Sequence, residues 1–220
     1  IPLMRGLQKS QPINWNYQEA KRMVDNGVKE LMIIAQDSTS YGWDLSPKVL
    51  LSDLLIKLNT IKGLDWIRLH YAHPAHLHKN IIDCFKKLDK LIPYVDMPIQ
   101  HASDKVLTNM RRGLKIDGIR RKIDELRMQS SEMSLRTSLI VGFPGETDND
   151  FKLVTDDYFY FVINYFLQLR GDTGIDSIIN AFKNTFMINN SYSKQIIEMT
   201  KQYFSFIGIN HKYFYNYLTL

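Results

Sequence analysis

Four short apolar runs alternating with stretches of helical periodicity constrain this chain more than any other feature of its sequence. The runs are Lys29–Ala35, centred on Leu31-Met32-Ile33-Ile34, then Trp66–Tyr71, Tyr94–Ile99 and Leu135–Val141. Tyr17–Asn26 reads as a helix closed by Gly27, and Val49–Ile61 carries Leu50, Leu51, Leu54, Leu55 and Leu58 at helical spacing before Gly63. Lys79–Lys90, Ser103–Met110 and Asp117–Met128 also read as helices, and another begins at Asp148 after the turn Gly142-Phe143-Pro144-Gly145. Strands alternating with helices of about 10–15 residues imply βαβ units and a parallel sheet, either barrel or open.

Side-chain parity chooses between those two forms. Trp66, Arg68 and His70 share one face, as do Asp96 with Gln100 and Arg136 with Ser138. The opposite faces carry Ile67, Leu69 and Tyr71, then Val95, Met97 and Ile99, then Leu135, Leu139 and Val141, a set that helices should cover. Arg68, Asp96 and Arg136 are too polar for a sheet packed in hydrocarbon on both sides, because an unpaired buried charge is costly. A barrel with a polar interior is the expected form.

Composition sets outer bounds. A chain of 220 residues with 45% hydrophobic and 23% charged residues has room for one domain with its own core. No apolar run reaches the roughly 18 residues of a membrane span and no signal peptide opens the chain, so the expected location is cytoplasmic, with no membrane partner. The single cysteine, Cys84, excludes an internal disulfide framework or an all-cysteine metal site. The net charge of +5 belongs wholly to residues 1–153, since residues 154–220 hold five basic and five acidic side chains; a weak RNA or ribosome contact fits that charge. All seven prolines also precede residue 154, whereas sixteen of the twenty-six aromatics follow residue 153. A boundary is therefore expected near residue 153, between one domain over 1–153 and a mainly helical, aromatic- and Asn-rich tail of unknown role over 154–220.

Ligands of parallel α/β folds gather at the C-terminal ends of the strands. There stand Gln36-Asp37-Ser38, His73-Pro74, Gln100-His101-Ala102-Ser103-Asp104 and Gly142-Phe143-Pro144-Gly145-Glu146-Thr147, four exits suited to one cofactor mouth. Helix capping by Ser38, Ser103 and Thr147 is the competing reading. The imidazoles of His70, His73, His76 and His78, with a carboxylate such as Asp96, suggest a zinc-dependent hydrolase as a distant alternative. Cys84, between Ile82 and Phe85, reads as a small core residue, and Arg111-Arg112 as either a phosphate or ribosome contact or a solvated helix end.

Taken in order, several of these segments resemble the radical-SAM methylthiotransferases, and most closely those that modify an aspartate of a small-subunit ribosomal protein. They are Ile1-Pro2-Leu3-Met4-Arg5-Gly6, Ile33-Ile34-Ala35-Gln36-Asp37, Tyr41-Gly42, Trp66-Ile67-Arg68-Leu69, Asp96-Met97-Pro98-Ile99-Gln100-His101, Ser103-Asp104, Met110-Arg111-Arg112-Gly113, Arg136-Thr137 and Ile140-Val141-Gly142-Phe143-Pro144-Gly145-Glu146-Thr147. The tRNA-modifying sister branch carries Gln-Asn where this chain has Gln36-Asp37. The resemblance implies an α/β fold, a partial (β/α) barrel of the radical-SAM type lacking its first strand, followed by a divergent tail. It implies S-adenosylmethionine beside a [4Fe–4S] cluster, hydrogen abstraction by a 5′-deoxyadenosyl radical, sulfur insertion, and a ribosomal protein as partner. By position, Gln36 and Asp37 would approach the methionine amino group, Gln100 would line the same mouth, Ser103 and Arg136 would take the carboxylate or ribose, and Gly142, Gly145 and Glu146 would lie on the adenine side. The family's three cluster cysteines would fall just before Ile1, so the cluster ligands are expected outside this chain and a metal site within it is not. Two readings follow: the central fragment of a methylthiotransferase, or a truncated non-catalytic module that binds S-adenosylmethionine or the ribosome.

Overall fold

A computed structural model describes residues 6–154 of the chain, and its contacts divide into two compact units, Ile1–Asp150 and Phe151–Leu220. The helical tail expected over 154–220 lies outside the described residues, apart from its first residue. In the first unit the order is α1 (Ile13–Asp25), β1 (Glu30–Ile33), α2 (Leu51–Asn59), β2 (Trp66–Leu69), α3 (Lys79–Lys87), β3 (Leu91–Asp96), α4 (Asp104–Asn109), α5 (Ile116–Arg127) and β4 (Ser134–Arg136). The strands form one parallel sheet in the order β1-β2-β3-β4, the α/β arc expected of a partial (β/α) barrel.

Each helix is set by a local rule. Gly27 (φ 96°) stops α1 by donating its N–H to Val24 O at 2.9 Å, and Val28 N reaches Met23 O at 3.1 Å, the paired bonds of a left-handed helix stop. The Asp53 carboxylate accepts from Leu50 N at 2.9 Å, which satisfies an otherwise free donor at the start of α2. That helix buries Leu51, Leu54, Leu55 and Leu58, three and four residues apart. Ile81, Ile82, Cys84 and Phe85 of α3 and Ile119, Ile123 and Leu126 of α5 bury matching stripes.

The sheet separates its faces as parity requires. Ile67, Leu69, Val95, Met97 and Ile99 are buried, while Arg68, His70, Asp96 and Arg136 belong to the other face. Three expectations need correction. Tyr71 leaves the buried set because the strand ends at Leu69 and Tyr71, with a left-handed backbone (φ 58°), lies in the loop beyond it. Val141 is exposed because the regular strand stops at Arg136. Within the apolar run Leu31–Ile34 only Leu31 is buried, whereas Met32 and Ile34 are 62% and 70% exposed, since they stand on the face of Arg68 and Leu31 on the covered face of Ile67. Among the described residues, no helix is long and apolar enough to cross a membrane.

Candidate functional site

A polar ladder crosses the face of the sheet that lies opposite Ile67, Leu69 and Val95. In register, Glu30 stands beside Trp66, Met32 beside Arg68, and Asp96 beside Arg136. Arg68 Nε donates to Glu30 Oε1 at 2.5 Å, and its guanidinium lies 4.8 Å from the centre of the Tyr94 ring. Tyr94 in turn sits 5.6 Å from the His70 ring, and His70 Nδ1 is 3.9 Å from Asp96 Oδ2. Arg136 Nη1 donates to the same Asp96 oxygen at 3.1 Å. This pairing answers the cost of placing charge on a strand, yet it leaves two buried atoms without a hydrogen-bond partner, His70 Nε2 and Asp96 Oδ1. Asp96 is 3% exposed, so its second oxygen is an acceptor that bulk water does not satisfy.

Loops at the strand ends rim that face. After β1, Gln36 is exposed and Asp37 caps a short turn, Ser38–Ser40. One Asp37 oxygen accepts from Thr39 N at 3.0 Å and from the Thr39 hydroxyl, and the other meets His76 Nδ1 at 2.5 Å. Burial pushes the Asp37 carboxyl up, but the hydrogen bonds from Thr39 and His76 outweigh it and hold the group below the usual carboxylate range. Ser38 N donates to Tyr71 O at 3.1 Å and Thr39 Oγ1 accepts from His73 N at 3.2 Å, so the first two exits are stitched together.

A second group forms where β3 and β4 end. Gln100 (φ 74°) donates its N–H to Ser138 O at 2.9 Å and accepts from Ile140 N at 2.7 Å. Ser103 is the N-cap of α4, and its hydroxyl also donates to Asp150 Oδ1 at 2.5 Å. Thr147 donates to Asp150 Oδ2 through both N–H and hydroxyl, at 3.0 and 2.7 Å. His101 Nδ1 accepts from Ser103 N at 2.9 Å, which leaves the proton on Nε2, 3.5 Å from Glu146 Oε1. Gly142 and Gly145 both take left-handed conformations, φ 78° and 85°, and Glu146 Oε2 accepts from Phe143 N at 2.9 Å, closing the loop. Capping thus describes Ser103, and it describes Thr147, whose Oγ1 accepts from Asp150 N at 3.3 Å while Asp150 accepts from Thr147 N, but not Ser38, whose hydroxyl donates to His70 O at 2.7 Å. No hydrogen bond links Gln36 or Asp37 to the Gln100–Glu146 group among the described residues.

The histidine cluster does not assemble as a metal centre. His73 Nδ1 accepts from Ala75 N at 3.2 Å, His76 Nδ1 faces Asp37, and no group of three or more His, Cys, Asp or Glu side chains among the described residues is placed to hold a metal. The zinc reading therefore fails, because the ring nitrogens serve turns rather than converge. Burial pushes His73 down to about 4, with the charges of Arg112 and His76 acting the same way. Since the unfolded ring takes its proton near 6.5, stability from a neutral His73 is complete above that pH and is lost as pH falls from 6.5 to about 4. The full shift corresponds to roughly 3 kcal/mol, and solvent at this half-buried ring reduces the expectation to about 1–2 kcal/mol. Urea titrations at pH 7 and pH 4.5 on the parent and on His73→Asn check it, the variant losing less on acidification.

Cys84 is the one thiol of the chain and is buried in α3, its Sγ 3.2 Å from Asn80 O. Burial pushes the thiol up to about 11. Reaction with a disulfide reagent at pH 8 is expected only in denaturant; rapid reaction of the native chain would refute that placement.

The family model described as the radical SAM superfamily matches residues 5–157. The chain belongs to that superfamily. Its curated relatives include the ribosomal protein uS12 methylthiotransferase RimO of Pseudothermotoga lettingae, 46% identical over 71% of this chain and 36% of the relative. The proteins of the same name from Flavobacterium johnsoniae and Clostridioides difficile are 44% and 45% identical over 71% of this chain, covering 36% and 35% of their own lengths. The chain thus spans about a third of the length of these relatives.

The polar ladder was only partly legible in the sequence. Arg68, Asp96 and Arg136 are legible from strand parity, whereas Glu30 and Tyr94, which complete it, were missed; the same alternation applied to β1 and β3 would have found both. Thr147 and Asp150 have capping-box spacing, but the bond of Asp150 to Ser103, 47 residues earlier, gives no sequence signal.

Proposed function

We propose that residues 6–154 form the S-adenosylmethionine-binding part of a methylthiotransferase that acts on an aspartate of a small-subunit ribosomal protein. The reading is supported by the superfamily match, by the relatives' shared name, and above all by the buried, unpartnered Asp96 Oδ1 beside Arg136 and His70. An S-adenosylmethionine molecule carries an ammonium group and ribose hydroxyls that complement such an acceptor, and a carboxylate suited to a guanidinium. The donor set fits the nucleotide. It does not fit an iron–sulfur cluster, since Cys84, the single cysteine, is a buried thiol raised far above neutrality rather than a thiolate.

When bound, S-adenosylmethionine supplies the carbon–sulfur bond whose reductive cleavage begins hydrogen abstraction. The chain's own residues bind and orient. Asp96 offers Oδ1 to a donor while Arg136 and His70 hold its other oxygen. Gln36 presents its amide from an exposed position, and Asp37, tied to Thr39 and His76, fixes the loop that carries it. Gln100 and Ser103 hold the third exit through their bonds to β4 and Asp150, while Gly142, Gly145 and Glu146 shape the turn on the adenine side. The +5 charge supports approach to a ribosomal partner.

Equilibrium dialysis of the 220-residue chain against S-adenosylmethionine tests the reading. Saturable binding is expected, and Asp96→Ala should weaken it by about 10- to 100-fold, as loss of a charged hydrogen bond worth roughly 1.5–3 kcal/mol requires. Absence of saturable binding to the folded parent chain overturns the assignment.

A further inference from the structure

We propose that Arg112 is a carboxylate receptor at the mouth, taking either the methionine carboxylate of the cofactor or the carboxylate of the acceptor side chain. The proposal rests on the function proposed above and adds to it a residue and a ligand group.

Three strand exits meet at this side chain. Arg112 N donates to Leu107 O at 3.0 Å, and the left-handed residues Arg111 (φ 56°) and Gly113 (φ 75°) fold the chain back sharply after α4. A Cβ on Gly113 would stand 3.3 Å from Ala75 Cβ, so this turn is seated on the short turn Pro74–His76 that follows β2. Arg112 Nη2 donates to Pro98 O at 2.8 Å, just beyond β3. Its charge is felt at His73, and that of Asp37 is felt at Arg112.

What distinguishes Arg112 is the absence of a carboxylate at a half-buried position, since Arg111 and Arg121, which also lack an ion pair among the described residues, are exposed. Arg22, Arg68, Arg120 and Arg136 pair with Glu19, Glu30, Asp117 and Asp96. Arg112 makes no ion pair among the described residues, although it is half-buried and burial pushes its guanidinium down. Asp37, the carboxylate whose charge reaches it, is already engaged by Thr39 and His76. A guanidinium has five donors in a planar fork, and one contact to a carbonyl leaves most of them free. Holding such a group out of water without an anion is unfavourable, and the fork matches a carboxylate with two parallel bonds. Arg136 is less suited to the same task, because Asp96 already neutralises it.

The position of His73 supplies a reporter. The positive charge of Arg112 helps hold its imidazole near 4, so an anion seated on Arg112 raises the midpoint. Imidazole NMR titration of the 220-residue chain would use methionine and its methyl ester, and an aspartyl peptide with its asparaginyl counterpart. Methionine or the aspartyl peptide should raise the His73 midpoint, and the two counterparts that lack the carboxylate should not. A response to methionine alone assigns the cofactor carboxylate, a response to the peptide alone assigns the acceptor, and a response to both makes Arg112 a shared receptor. Arg112→Gln should raise the midpoint without ligand and abolish any further response. Arg112→Lys keeps the charge and the unliganded midpoint but loses the fork, so its carboxylate response should weaken several-fold. No response in the parent chain, or a response that survives in Arg112→Gln, overturns the proposal. Dialysis with S-adenosylmethionine run alongside separates the two claims: retained binding without a His73 response removes Arg112 alone, while absent binding removes the functional reading.

Discussion

Gly42→Ala is expected to destabilise the chain by roughly 2–5 kcal/mol. Gly42 has φ 81°, where a side chain is strained, and an added Cβ would come within 2.4 Å of Val49 O and 2.6 Å of Val49 Cγ2. Neither neighbour can retreat cheaply, because Val49 N donates to Gly42 O at 3.4 Å and Gly42 N donates to Ser10 Oγ at 3.0 Å. The closed loop follows directly from Asp37 and Ser38–Ser40, so strain there also loosens the first strand exit. Gly27→Ala is the control: φ is 96° but nothing lies within 4 Å, and the cost should stay near 1–2 kcal/mol. Urea unfolding of the three proteins measures the difference. Equal midpoints for the two variants would show that the Val49 contact carries no energy.

Leu69→Ala is expected to cost about 2–5 kcal/mol, through lost transfer energy and the cavity left behind. Leu69 is fully buried on β2, paired between Ile33 of β1 and Val95 of β3. It immediately precedes His70, so a collapse around the cavity would also move the polar ladder. Against the roughly 5–15 kcal/mol that holds a domain of this size, that loss is a large share. Trp66→Ala on the same strand provides the contrast, since Trp66 is 55% exposed on the opposite face and should cost much less. Comparable losses at both positions would mean that the two faces of β2 are not packed differently.

Both variants probe features that differ in how openly the sequence declares them. Leu69 is visible in advance, because strict alternation in Trp66–Leu69 marks Ile67 and Leu69 as one face and Arg68 as the other. The same rule located Asp96 and Arg136, and their pairing at 3.1 Å follows from adjacent strands in register. Alternation misled at Tyr71, because the strand ends at Leu69 and the period of two stops with it. The continuous apolar run Leu31–Ile34 misled for another reason, since such a run cannot show that one face of its strand is left uncovered.

Within the site the limits have a different cause. Ser103 as a helix cap is a local property, and three residues of sequence suffice to suggest it. Its bond to Asp150 is not local, and nothing in the segment after Thr147 marks that carboxylate as the partner of a serine 47 residues earlier. The four histidines look like metal ligands because sequence proximity is easily taken for spatial convergence. Folding turned His73 and His76 into turn and loop anchors instead, their rings stacked 4.6 Å apart.

Periodicity, turn residues and ordered motifs by themselves determined the element order, the parallel α/β class and the superfamily, because each depends on spacing along one chain. Tertiary structure alone decided which charges are matched. Arg136 meets Asp96, Asp37 meets His76, and Arg112 meets no carboxylate among the described residues. Electrostatic pairing falls off over a few ångströms, and the distances that govern it are set by the packing of helices and strands far apart in sequence.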